Sequence, residues 1–178
     1  MYIWTGLNID EPLQGLRSKI LLLEQELGME ASIRSVPFHI SLKMPFSVEN
    51  ARLPAVLSAL EDYYMQLTPF EIFTQGFECY GNIVWLRMRE CDQLNRICQE
   101  INTMLQERFG IGIHEYDTDC QFHATLVYDS DKGKNTAAYQ IILQEAYPDS
   151  LSANSFLIET SDSGLPGTYD VWKEIILR

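Results

Sequence analysis

The sequence is poor in positive charge and in histidine. Its 178 residues include 13 Lys and Arg against 25 Asp and Glu, which gives a formal net charge of -12, and only three histidines. Proteins that bind long nucleic acids carry arrays of basic side chains, so this balance argues against such a partner. It does not exclude a small phosphate ligand that a few local groups hold.

Paired cysteines and long apolar runs are also absent from the sequence. Its four cysteines form no Cys-x-x-Cys pair, and no apolar stretch reaches the about 18 residues of a membrane helix. The opening residues, MYIWTGLNIDEP, lack the basic start and the apolar run of a signal peptide. We therefore expect a soluble, cytoplasmic protein with reduced cysteines and no membrane partner.

Hydrophobic periodicity predicts helices and strands in alternation. Helices are expected over 12–27, 49–67, 92–109 and 136–146, and strands over 2–9, 36–44, 70–77, 83–89, 121–128, 151–159 and 169–177. The segment Tyr80-Gly81-Asn82 predicts the turn of a hairpin.

This order predicts an α+β fold in a single domain, residues 1–178, built from a duplicated unit. Two pseudo-symmetric lobes, roughly residues 1–90 and 91–178, would be related by a pseudo-twofold axis. Two antiparallel sheets would then face each other across a central cleft, with the helices outside.

Two of the three histidines occupy matched positions in a repeated segment. Phe38-His39-Ile40-Ser41-Leu42 recurs as Phe122-His123-Ala124-Thr125-Leu126. Because successive side chains of a strand point to opposite faces, each histidine shares a face with the hydroxyl two residues later. The apolar residues of each segment point the other way, towards a core.

If the two strands meet in the cleft, two imidazoles and two hydroxyls converge on one small volume. One neutral and one protonated imidazole form a general base and a general acid. The hydroxyls of Ser41 and Thr125 can donate hydrogen bonds to anionic oxygens. This combination predicts a metal-free site for a phosphodiester. Lys43, which strand alternation places on the face of His39, would add positive charge.

The paired His-x-Ser/Thr motifs resemble those of the two-histidine phosphoesterase superfamily. The resemblance covers essentially the whole chain. That superfamily includes the 2′-5′ RNA ligase-like proteins and RNA 2′,3′-cyclic phosphodiesterases. The resemblance implies that His39 and His123 are the general acid and base, in either order, and that Ser41 and Thr125 bind the phosphate. Many members carry an Arg or Lys shortly after the second motif, where Val127-Tyr128-Asp129 stands here.

The activity implied is the opening of a 2′,3′-cyclic phosphate on a nucleotide or an RNA end, with weak 2′-5′ ligation in reverse. The implied protein is a monomer that needs no cofactor and binds a small nucleotide or an RNA end.

Three alternatives remain open at this point. The chain could be a binding module that holds a nucleotide or a 2′-5′ oligonucleotide without turnover. Ser41 could be the nucleophile of an esterase, although no Gly-x-Ser-x-Gly motif surrounds it. A metal site of Cys120 and His123 with a further histidine would lack a complete ligand set. Among aromatic residues that could stack on a base, Tyr128 lies beside the second motif, but strand parity assigns it to the core face.

Overall fold

The computed structural model describes residues 1–29, 36–118 and 120–178, and these contain four α-helices and eight strands. The strands are β1 (Tyr2–Asn8), β2 (His39–Ser47), β3 (Phe70–Tyr80), β4 (Ile83–Met88), β5 (His123–Tyr128), β6 (Ser150–Ala153), β7 (Ser155–Ser161) and β8 (Asp170–Ile176). The helices are α1 (Gln14–Glu26), α2 (Leu53–Tyr64), α3 (Asp92–Phe109) and α4 (Lys132–Ile142).

All eight described strands join one antiparallel sheet in the order β6-β3-β4-β5-β2-β1-β7-β8. The α+β class predicted from the sequence is confirmed, but the two separate sheets are replaced by this single one. The reason is that β2 and β5, which carry the two motifs, pair directly with each other at its centre. Pairing satisfies backbone groups that two separate sheets would leave at their edges.

The strand order also places strands from the two halves of the chain next to each other. The hairpin β3–β4 lies beside β5, whereas β7 lies beside β1 and is followed by β8 at the edge. Each half of the sheet therefore contains strands from both halves of the chain. The lobes expected over residues 1–90 and 91–178 do not correspond to the halves of this sheet.

The helices follow the expected pattern with one shift. Helix α3 is capped by Gly110, whose φ of +63° lies in the left-handed region that favours glycine. Helix α4 begins at Lys132, earlier than predicted, because the side chain of Asp131 accepts a hydrogen bond from the Gly133 amide and caps the first turn. The polar segment before residue 136 is therefore a cap and a first turn instead of a loop.

The helices pack against the apolar face of the sheet. Helix α3 contacts β2, α1 contacts β5, α4 contacts β3, β4 and β5, and α2 contacts β7. The apolar residues of both motifs are buried in the core on this side: Phe38, Ile40, Leu42, Phe122, Ala124 and Leu126. The opposite face of the two central strands carries the half-buried motif histidines and hydroxyls. None of the described helices combines the length and the hydropathy that a membrane span requires.

Candidate active site

The register of β2 and β5 sets the geometry of the site. The two strands are antiparallel, and Ile40 lies directly opposite Ala124. One step along each strand gives two cross-strand pairs on the other face, His39 with Thr125 and Ser41 with His123. Such partners have Cβ atoms about 4.5–5.5 Å apart, so each imidazole lies beside the hydroxyl of the other motif. We call these four side chains the quartet.

Both imidazoles are fixed by the same backbone contact. Nδ1 of His39 lies 2.8 Å from the carbonyl oxygen of Pro37, and Nδ1 of His123 lies 2.6 Å from that of Gln121. A carbonyl oxygen can only accept, so Nδ1 is the donor and carries the proton of the neutral ring. Nε2 is then the nitrogen that can exchange a proton with a ligand.

Both histidines favour the neutral state in the free protein. Burial, the largest cause, lowers the pKa of His39 to about 4; the Pro37 carbonyl opposes this, and the charge of His123 adds to it. Burial also lowers the pKa of His123, with the Gln121 carbonyl opposing and Arg87 adding to the effect. A bound phosphate would favour the protonated forms, because an opposite charge nearby stabilises the imidazolium ion.

Each histidine packs against an indole ring, but the two indoles form different hydrogen bonds. The Trp4 ring centroid lies 4.3 Å from that of His39, and that of Trp85 lies 4.2 Å from that of His123. Trp4 Nε1 donates to Ser41 Oγ at 3.1 Å, so the hydroxyl proton of Ser41 is available to a ligand. Trp85 Nε1 donates at 3.1 Å to Glu78 Oε2 instead.

Gly6 makes room for the first indole. It lies opposite Ser41, and a Cβ atom there would come within 2.5 Å of Cζ2 and Cη2 of Trp4 and of the Ile40 carbonyl oxygen. Trp85 holds the corresponding position opposite Thr125. Thr125 therefore has the indole of Trp85 directly opposite it. Ser41 has Gly6 opposite it, and the indole of Trp4 lies over that glycine.

Lys43 does not share the face of the quartet, which corrects its prediction as a phosphate ligand. Gly6 pairs with Ser41 but Thr5 pairs with Lys43, so Leu42 is an extra residue in β2 and forms a bulge. The bulge shifts the alternation by one position. Lys43 therefore points to the helix side, as Thr5 does.

On that side Lys43 forms a buried ion pair. Its ammonium group donates to a carboxylate oxygen of Asp117 and to the Gly112 carbonyl oxygen at 3.1 Å. The side chains of Lys43 and Asp117 are 1% and 2% exposed. The other Asp117 oxygen accepts from the Met44 amide at 2.9 Å.

A second bulge occupies the same place in the other motif strand. Trp85 pairs with Thr125 but Val84 pairs with Val127, so Leu126 is the extra residue. The shift places Tyr128 opposite Ile83, in the same row as Tyr80 and on the face of the quartet. The core-face assignment of Tyr128 from strand parity was therefore wrong.

Three side chains of the site were not predicted from the sequence: Trp4, Trp85 and Arg87. Arg87 lies opposite His123, and its Nη1 atom is 3.4 Å from both carboxylate oxygens of Glu78. A signal existed for two of them, because alternation in the strand IVWLRM places Trp85 and Arg87 on one face. Among the described residues, no three His, Cys, Asp or Glu side chains are grouped to hold a metal ion.

Comparison with known proteins identifies the family. The family model of the 2′-5′ RNA ligase superfamily matches residues 7–162. The chain belongs to this superfamily. The family predicted from the paired motifs is thereby confirmed. No curated protein matches the sequence.

Solved structures share the fold over nearly the whole chain. TT0787 of Thermus thermophilus is 16% identical, with a TM-score of 0.66 over 100% of this chain and 98% of that one. E. coli LigT complexed with NADP+ is 16% identical, with a TM-score of 0.62 over 98% and 96% of the two chains. E. coli LigT complexed with 3′-AMP is 14% identical, with a TM-score of 0.57 over the same shares. At these identities the likeness concerns the fold.

Proposed function

We propose that the protein is a metal-independent phosphodiesterase that opens the 2′,3′-cyclic phosphate of a nucleotide or an RNA end. Membership of the superfamily supports phosphoesterase-type chemistry. The observation that carries the proposal is the cross-strand register of Ile40 and Ala124, which brings two imidazoles and two hydroxyls together. The complexes of E. coli LigT with 3′-AMP and with phosphate support a small nucleotide as the ligand.

In the proposed reaction the cyclic phosphate lies between the imidazoles. Nε2 of the neutral histidine takes a proton from water as the water oxygen attacks phosphorus. The bond from phosphorus to one ribose oxygen breaks, and the protonated histidine gives its proton to that oxygen. Ser41 and Thr125 donate hydrogen bonds to the non-bridging oxygens. The products are a phosphomonoester and a free ribose hydroxyl. If the 5′-hydroxyl of a second RNA end attacks in place of water, the same proton transfers give a phosphodiester and would join the two ends weakly.

Turnover of the four nucleoside 2′,3′-cyclic monophosphates and of a short RNA with a cyclic phosphate end, with EDTA present, tests this proposal. We expect His39→Ala and His123→Ala each to lower kcat by at least about a hundredfold, because each removes one proton-transfer group. His114→Ala is the matched control, since this third histidine is exposed in a short turn after α3. The product isomer identifies the ribose oxygen that leaves.

The pH dependence of kcat/KM in the same assay should be bell-shaped, with its optimum on the acid side of pH 6.5. One histidine must be neutral and the other protonated, and both pKa values in the free enzyme are lowered. The two limbs are the same whichever histidine is the base. Activity that survives either alanine substitution would contradict the two-histidine mechanism. A folded protein that binds nucleotides without turnover would favour the binding module.

A further inference from the structure

A cyclic phosphodiester is an anion, and the quartet offers it no permanent positive charge. Lys43 is buried on the other face with Asp117 as its partner. The segment after the second motif, where many relatives carry a basic residue, provides none here, since Val127 is buried in the core and Asp129 is acidic. Among the residues that the structure describes, a phosphate-binding cation of this site would therefore come from another strand.

Arg87 on β4 meets this requirement. It lies directly opposite His123 in the register of β4 and β5, and its positive charge lowers the pKa of that imidazole. About a third of its side chain, 35%, is exposed, so a ligand can reach it. Arg87 therefore lies beside the quartet, although it belongs to neither motif.

The contact between Arg87 and Glu78 is a loose one. Nη1 lies 3.4 Å from both Oε1 and Oε2, beyond the usual range of about 2.7–3.2 Å for such bonds. Glu78 has a second contact at 3.1 Å, the Trp85 Nε1 donor, which holds the carboxylate in place. A guanidinium has five N–H donors, and both contacts to Glu78 use a single nitrogen, so others remain for a phosphate.

We propose that Arg87 is the phosphate-binding cation of this site and that Glu78 holds it until a ligand binds. The inference rests on the proposed function for the identity of the ligand, a phosphate between the two histidines. Arg87 binds a non-bridging oxygen on the His123 side. Glu78 competes with that oxygen, so the carboxylate weakens anion binding while it positions the guanidinium.

Titration of the protein with inorganic phosphate and with 3′-AMP, followed by calorimetry, tests this assignment without any need for turnover. We expect Arg87→Gln to weaken both ligands by about tenfold or more, because a charge-assisted hydrogen bond is lost. Glu78→Gln should strengthen both, because it removes the competing charge and keeps an oxygen for Trp85. Arg89→Gln is the matched control. Its side chain donates to the Thr74 carbonyl oxygen, on the neighbouring strand β3, and it should leave both affinities unchanged.

The histidine signals in NMR spectra provide a second measurement, which tests whether the charges of Arg87 and Glu78 act on His123. The pKa of His123 should rise in Arg87→Gln and fall in Glu78→Gln, since Arg87 lowers it and Glu78 raises it. Phosphate affinity that is equal in Arg87→Gln and the native protein would overturn the inference, even if cyclic phosphates are hydrolysed. Phosphate binding that depends on Arg87 without any hydrolysis would support it and would contradict the proposed function.

Discussion

At the scale of single residues, the two halves of the site differ in how their hydroxyls are oriented. Ser41 accepts a hydrogen bond from Trp4, whereas the indole beside Thr125 donates to Glu78. An accepted bond fixes the Ser41 oxygen and directs its own proton elsewhere. The first motif therefore has a hydroxyl that is oriented before any ligand arrives.

We expect Trp4→Phe to lower kcat/KM by about tenfold, because the ring contact to His39 is kept but the donor to Ser41 is lost. Ser41→Ala should cause a similar loss. If Trp4 acts through Ser41, the double variant should be no worse than Ser41→Ala alone. The three variants are compared by steady-state kinetics on one cyclic nucleotide, and losses that add would contradict this positioning role.

Single residues also show which parts of the site sequence patterns could predict and which they could not. The pairing of His39, Ser41, His123 and Thr125 followed from a repeated motif and from strand alternation. Trp4 was not predicted, because its contact with the site depends on leaning across Gly6, and no pattern in the sequence encodes the direction of one ring. Arg87 was visible as an alternating residue but belonged to no motif.

At the scale of elements, the bulge in β2 decides the role of Lys43. The side chains of β2 alternate between the two faces of the sheet as far as Ser41. The extra residue Leu42 shifts this alternation by one position, and Leu126 does the same in β5. A bulge depends on how two strands pair, so the sequence of one strand alone does not reveal it. The class of fold and most helices were predicted correctly because they depend on local periodicity. The single sheet was not, because it depends on contacts distant in sequence.

We expect Asp117→Asn to destabilise the protein by about 3 kcal/mol, because it leaves the buried Lys43 ammonium without its counter-ion. Lys43→Val copies the residue at the matching position of β5, Val127. It should lower stability but leave phosphate affinity unchanged. The double variant should cost less than the sum of the two, as measured by urea unfolding. Weaker phosphate binding in folded Lys43→Val would restore Lys43 as a ligand.

At the scale of the whole molecule, His39 and Glu159 on the site face oppose each other in the dependence of stability on pH. His39 has a folded pKa of about 4, below its unfolded value, so its contribution is lost as pH falls from about 6.5 to 4. Glu159, opposite Trp4 on β7, has its pKa raised to about 7 by burial and by the Asp170 carboxylate. Its contribution is lost as pH rises from about 4.5 to 7.

We expect Glu159→Gln to make stability rise more steeply between pH 5 and pH 7.5, by on the order of 2 kcal/mol, because the opposing titration is removed. Urea midpoints at several pH values measure the change. Glu71→Gln, at an exposed glutamate on β3, is the control and should keep the native slope. Equal slopes in native protein and Glu159→Gln would contradict the raised pKa.

The exchange of strands between the two halves has a consequence for synthesis on the ribosome. Of the eight described strands, β1 is made first. It pairs with β2, which follows it, but its other neighbour, β7, is made only after β6. Until then one edge of β1 is unpaired, and an unpaired edge favours association with other chains. The sheet around β1 can therefore be completed only late in synthesis, and His39 and His123 come together only after β5 has been translated.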